Sequence, residues 1–115
     1  MSVQRGDIFL VDLNPVQGRE QAGRRPVLVL SSDAINRLPL VVTVVVGTKG
    51  ENLRRDYPTN VRVSTSESGL PMETVFLCFQ LRSLDPNRFV GPRAGRLGPE
   101  ALARIENAVR SCLGI

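Results

Sequence analysis

A chain of 115 residues, 42% hydrophobic and 23% charged, is sized for one domain around one core, and without an apolar run of about 18 residues it offers no membrane-spanning helix. Fifteen Lys and Arg oppose eleven Asp and Glu for a net charge of +4, and all the cations but Lys49 are arginine; this suits phosphate recognition by the guanidinium fork and is equally what an arginine-rich codon usage produces. There is no histidine, which excludes every imidazole-based triad and removes the commonest metal ligand. Two cysteines, Cys78 and Cys112, are too few for a disulfide framework and too far apart for a metal-ligand spacing, so buried reduced thiols are expected. The residues from Met1 to Asp7 lack the apolar segment of a secretory signal, and the cytoplasm is the expected compartment.

In chain order, Asp7–Leu13 is rich in Ile, Phe, Leu and Val and is punctuated by Asn14-Pro15, which predicts a strand running into a loop. That loop, Asn14 to Arg25, holds two glycines and mostly polar residues. Pro26–Ser31 and Leu40–Gly47 are near-continuous β-branched or aliphatic runs and read as central strands. Between them Ser32–Asn36 suits one helical turn. Thr48–Pro58 is a second polar loop, followed by strands at Thr59–Val63 and Thr74–Arg82 and an intervening Ser-, Gly- and Pro-containing loop, Ser64–Met72. A short strand is predicted at Arg88–Val90.

The tail is a helix by pattern. Gly98-Pro99-Glu100 places proline and a carboxylate at a helix start, and Leu102, Ile105, Val109 and Cys112 recur on one stripe with Ala101, Ala108 and Leu113 alongside, ending at Gly114. Short strands with glycine-bearing loops and one terminal helix predict a single domain over residues 1–115, mostly β with a C-terminal helix (α+β), built as a small, strongly bent antiparallel sheet or barrel.

The chemistry is bounded by what is missing. No Walker A or Rossmann glycine pattern occurs, and Asp7, Asp12, Glu20, Asp33, Glu51 and Asp56 have no spacing that marks a pair. An enzyme built from these residues needs a reaction that requires neither imidazole nor metal. RNA supplies one, because its 2′-hydroxyl is an internal nucleophile beside the scissile phosphate, and the protein has only to align it and stabilise charge.

Arg5-Gly6-Asp7-Ile8, Asp12-Leu13-Asn14-Pro15 and the run Gly18-Arg19-Glu20-Gln21-Ala22-Gly23-Arg24-Arg25-Pro26-Val27-Leu28-Val29-Leu30 together resemble the MazF/PemK type of mRNA interferase, the toxins of type II toxin–antitoxin pairs. Thr48 closing a valine-rich strand and Gln80-Leu81-Arg82 ending a later one are also similar, so the resemblance spans nearly the whole chain. It implies an SH3-like barrel of the MazF/CcdB type, a homodimer, and a cofactor-free endoribonuclease. That enzyme would cut single-stranded RNA to leave a 2′,3′-cyclic phosphate and a 5′-hydroxyl, and a cognate antitoxin with a flexible acidic tail would restrain it.

The family's catalytic arginine falls on Arg25 and its catalytic threonine on Thr48. Arginine keeps its proton at ordinary pH, so Arg25 is expected to stabilise charge on the phosphorane. Thr48 is expected to hydrogen-bond a phosphate oxygen or relay a proton; without the resemblance it reads as an ordinary strand-end threonine. Gln21, Arg24, Lys49, Gln80 and Arg82 are candidates for RNA contact, the last two on one strand face by their spacing. Arg19, Arg24, Arg54 and Arg55 are candidates for the antitoxin's acidic tail. The sequence departs from the family at Ala22, in place of the first glycine of Glu-Gln-Gly-Gly, and at Phe79, where glutamate is usual. Two other classes share these features: a non-catalytic CcdB-like toxin that binds gyrase, and a non-catalytic RNA-binding regulator.

Overall fold

The computed structural model describes residues 3–18, 23–38 and 40–115. Within them the β-branched runs form strands β1 (Asp7–Asp12), β2 (Arg24–Val29), β3 (Val42–Lys49), β4 (Asn60–Val63), β5 (Thr74–Leu84) and β6 (Gly95–Arg96). They make one sheet in the order β4-β5-β3-β2-β1-β6, each neighbouring pair antiparallel. There are three helices, α1 (Asp33–Asn36), α2 (Thr65–Ser68) and α3 (Pro99–Leu113), among the described residues, with 3-10 turns at Gly50–Asn52 between β3 and β4 and at Pro86–Arg88 between β5 and β6.

Alternation along the strands sends side chains to two cores. On one face Ile8, Leu28, Val45, Phe76 and Cys78 pack against Ala101, Ile105, Ala108 and Val109 of α3. This is the predicted stripe, docked as its spacing requires; Leu113 alone of that set is exposed. On the other face Phe9, Val11, Leu13, Val27, Val29, Val42, Val44 and Val46 are closed over by Leu84 and Phe89. A sheet buried on both sides explains why β2 and β3 read as continuous valine runs rather than as alternating ones. Ile105 is fully buried at the centre of the helix contact. Ile105→Ala is expected to cost about 2–5 kcal/mol of unfolding free energy, with an unchanged denaturant slope, in urea titrations.

Several elements differ from the sequence expectation, which holds no counterpart of β6 or of the 3-10 turn at Gly50–Asn52. The segment predicted as a strand at Arg88–Val90 is instead the turn Pro86–Arg88 leading into Phe89: Asp85 accepts from the Asn87 amide at 2.8 Å, and the Phe89 ring stacks on Phe9 with centroids 4.9 Å apart. Packing of one aromatic over the open sheet face prevails over strand pairing there. The Ser64–Met72 loop contains α2, started by a capping box in which Ser64 and Glu67 satisfy each other's amides. The Ser64 amide, with Arg104 beside the carboxylate, holds Glu67 below the usual glutamate range. β3 runs past Gly47 to Lys49, so Thr48 lies inside a strand rather than in the loop.

The carboxylate of Asp7 is structural. It is buried and accepts from the Gln4 amide at 2.9 Å, from Arg96 at 2.5 Å and from Arg93 at 3.3 Å, tying the amino-terminal strand to the segment around β6. Cys78 is buried and Cys112 half-buried; burial, with Cys112 nearby, pushes the Cys78 thiol up to about 12. At neutral pH it is therefore a protonated core group. No helix among the described residues is long and apolar enough to cross a membrane.

Candidate active site

Arg25 enters β2 opposite Val11 of β1. The β2–β3 ladder pairs Val27 with Val46, and carrying the same register on by two residues sets Arg25 across from Thr48. Pro26 and Gly47, the intervening pair, are in contact: a Cβ on Gly47 would stand 3.2 Å from Pro26 Cγ and 3.0 Å from the Phe76 ring. A side chain at Gly47 would require the Phe76 ring or Pro26 to shift by a few tenths of an ångström, so glycine suits this close approach.

Direct opposition also places the two side chains on one face. Arg25 continues the row of Val27 and Val29, and Thr48 continues Val42, Val44 and Val46, all in the core away from α3. Arg25 is half-buried and Thr48 is 5% exposed at this end of the sheet. Low polarity behind the pair strengthens whatever field they exert on an anion at the open end.

Thr48 is held by a residue the sequence reading did not single out. Its Oγ1 accepts from Asn52 Nδ2 at 2.8 Å, and Asn52 sits in the 3-10 turn directly after β3. With an oxygen lone pair engaged, the hydroxyl keeps its own proton to donate outward. The sequence signal was present only as a threonine and an asparagine four residues apart, and reading it requires knowing that the turn is tight. Thr48→Val, which keeps the shape and removes the hydroxyl, is expected to slow RNA cleavage about a hundredfold in single-turnover assays.

The remaining site candidates separate. Arg24 and Lys49, the chain neighbours of Arg25 and Thr48, are exposed, and both line one cleft together with Arg25. Arg82 lies opposite Val44, and its Nη1 donates to the Leu13 carbonyl at 3.1 Å. Arg88 likewise donates to the Asp12 carbonyl at 3.1 Å. Both guanidiniums therefore hold the root of the β1–β2 loop. Gln80 is half-buried in an irregularity of β5, where the β3 register jumps from Leu77 to Leu81, and Phe79 beside it is 55% exposed. Extra residues of this kind bend a strand and re-aim its side chains. Arg19, Gln21 and Ala22 lie outside the described residues.

Arg54 and Arg55 are exposed on the loop after the 3-10 turn. That loop is clasped by Arg62, whose guanidinium donates to the carbonyls of Gly50 and Leu53 and to the carboxylates of Glu73 at 2.8 Å and Asp56 at 2.9 Å. Arg62 is the second residue sequence reasoning missed, because within β4 it reads as an ordinary outward-facing cation. Among the described residues no three His, Cys, Asp or Glu side chains converge as a metal site would require.

Comparison with known proteins decides the family. The profile of PemK-like, MazF-like toxins of type II toxin–antitoxin systems matches residues 4–113. The chain belongs to this family. It is 34% identical over 113 residues to the endoribonuclease MazF of Staphylococcus saprophyticus, covering 98% of this chain and 92% of the relative. The MazF of Staphylococcus epidermidis matches to the same extent. The crystal structure of MazF from Deinococcus radiodurans superposes with a TM-score of 0.83 at 27% identity, covering 100% of this chain and 99% of that one. A mycobacterial endoribonuclease in complex with its cognate antitoxin superposes with a TM-score of 0.79 at 26% identity, over 98% and 96% of the two chains. The six-stranded antiparallel sheet with its carboxyl-terminal helix is thus the fold of MazF toxins, as the sequence resemblance implied.

Proposed function

We propose that this MazF-family toxin is a metal-independent endoribonuclease that cuts single-stranded RNA in the cytoplasm by attack of the 2′-hydroxyl on the adjacent phosphate. What supports the reading is the β2–β3 register, which pairs Val27 with Val46 and, carried on by two residues, sets Arg25 across from Thr48. The relatives named endoribonuclease MazF supply the reaction class.

Each residue then has a task. The Arg25 guanidinium, always protonated, binds the non-bridging oxygens and offsets the negative charge that grows on the phosphorane. The Thr48 hydroxyl, oriented by Asn52, donates to a phosphate oxygen. The nucleophile belongs to the RNA, so binding the strand with the 2′-oxygen in line converts the step into an intramolecular one. The products are a 2′,3′-cyclic phosphate and a 5′-hydroxyl. The 2′-hydroxyl route asks for no metal ligand, and among the described residues no three His, Cys, Asp or Glu side chains converge.

The test is incubation of purified protein with single-stranded RNA in EDTA, followed by end mapping. Discrete cuts bearing cyclic-phosphate and 5′-hydroxyl ends are expected; retarded but intact RNA, or activity only on restoring a divalent ion, contradicts the proposal.

The active form is proposed to be a homodimer, restrained by an antitoxin whose acidic tail occupies the RNA groove. The exposed arginines Arg54 and Arg55 support this reading, since an RNA backbone and an acidic peptide are both polyanions. Reversal of both to glutamate is expected to weaken an acidic peptide and an uncleavable RNA together in fluorescence anisotropy. Both affinities should fall with salt, the RNA with a log–log slope of about −0.7 per phosphate neutralised.

A further inference from the structure

Arg62 stands in the same row of the sheet as Thr48 without touching it. The β3–β5 register sets Thr48 across from Val75, and the β4–β5 register sets Arg62 across from the same Val75. Two strand spacings separate their backbones, roughly 10 Å. The guanidinium spends its donors elsewhere: Nη1 donates to the Gly50 carbonyl at 3.1 Å and to Glu73 Oε1 at 2.8 Å, Nη2 to the Leu53 carbonyl at 2.9 Å, and Nε to Asp56 Oδ1 at 2.9 Å.

The two carbonyls bracket the 3-10 turn Gly50–Asn52. Asp56 and Glu73 are exposed, and exposed ion pairs hold little by themselves. What distinguishes this guanidinium is that its planar fork also grips the main chain at both ends of one turn. The turn is pinned from the other side as well, since the Gly50 amide donates to the Glu73 carbonyl at 2.8 Å and the Leu53 amide to the Gly50 carbonyl at 3.1 Å. A Cβ on Gly50 would stand 2.7 Å from Glu73 Oε1 and 2.9 Å from Arg62 Nη1, so the bare backbone there is what lets both groups close on it. Arg62 is itself anchored from α3: its carbonyl accepts from Arg104 Nη1 at 3.1 Å, and Arg104 pairs with Glu67.

We infer that Arg62 is a positioning residue, which fixes the turn and with it Asn52, and through Asn52 the direction in which the Thr48 hydroxyl donates. The inference rests on the nuclease reading above and extends it to a residue that acts only through others. The link is short. Asn52 Nδ2 donates to Thr48 Oγ1 at 2.8 Å, and Asn52 lies between the two carbonyls that Arg62 holds. Asn52 is exposed, so no packing against its side chain replaces that hold. Small misplacement of a group that must meet a phosphate oxygen in one direction is costly in rate.

The test is a double-mutant cycle. Single-turnover cleavage of a short single-stranded RNA at rising protein concentration separates the plateau rate from the half-saturating concentration. Arg62→Ala and Asn52→Ala are each expected to lower the plateau about tenfold. In a Thr48→Val background either one should cost at most about twofold more, because no hydroxyl remains to be directed. Arg62→Lys should recover little, since one ammonium cannot bracket the turn and meet both carboxylates. Losses that multiply fully in the double variants overturn the inference, as does an effect confined to the half-saturating concentration. So does a lysine variant at the wild-type plateau, which would show that charge alone is at work. Asn52→Ala changes an exposed side chain and keeps the test open if Arg62→Ala folds poorly, and a wild-type plateau in that variant also overturns it. A readout without RNA runs beside these: by NMR the Asn52 side-chain amide protons should exchange with water faster in Arg62→Ala than in wild type, and unchanged exchange contradicts the hold. A wild type that cuts no RNA while these protons respond as expected sinks the nuclease reading and leaves the positioning of Thr48 standing.

Discussion

Arg25→Ala is expected to abolish nearly all RNA cleavage, by about 10³–10⁵ in rate, while the protein keeps its fold. The size follows from what the side chain is asked to do. A phosphoryl transition state carries its extra charge on oxygens, and a positioned guanidinium contacts two of them at once with no proton to lose. Arg25 stands at the edge of a buried valine row with low polarity behind it, so its field is less screened than that of an exposed arginine. Its removal takes nothing from either hydrophobic core, and stability should change little. Arg25→Lys is expected to group with the alanine variant, because a point charge on a flexible stem does not reproduce the planar fork. Single-turnover cleavage of a short RNA, with thermal unfolding as the control, measures both. A lysine variant within about tenfold of wild type would show that charge alone suffices and that the fork geometry does not matter.

Much of this arrangement is legible in the residues. The short β-branched runs of β2 and β3 and the helical stripe from Ala101 to Cys112 state their own secondary structure, the first by length and valine content after burial on both sheet faces, the second by its period. Arg25 and Thr48 were legible only through resemblance. Alone, an arginine before a proline and a threonine after a glycine are common, and their opposition depends on strand register. What was not legible is tertiary. The stacking of Phe89 on Phe9 replaced a predicted strand with a turn. The Arg62 clasp joins residues 50, 53, 56 and 73, which no local pattern connects. The Ser64-to-Glu67 capping box could have been read, but the Gly69, Pro71 and serine residues around it signal a loop just as strongly. That Arg24, Arg25 and Lys49 line one cleft depends on β2 and β3 ending side by side, which no local pattern states.

The second large effect concerns the substrate. If the nucleophile is the RNA's own 2′-hydroxyl, deleting one oxygen removes the reaction without touching the protein or its binding contacts. A guanidinium cannot attack, and the account gives the Thr48 hydroxyl the role of donor to the phosphate rather than nucleophile. The decisive measurement is therefore cleavage of a matched pair of oligonucleotides in EDTA, one all-ribose and one with a single deoxyribose immediately 5′ of the mapped scissile phosphate. The account predicts full cutting of the first, no detectable cutting of the second at that phosphate, and equal affinity for both. Efficient cutting of the deoxy-substituted strand at the same bond would contradict it.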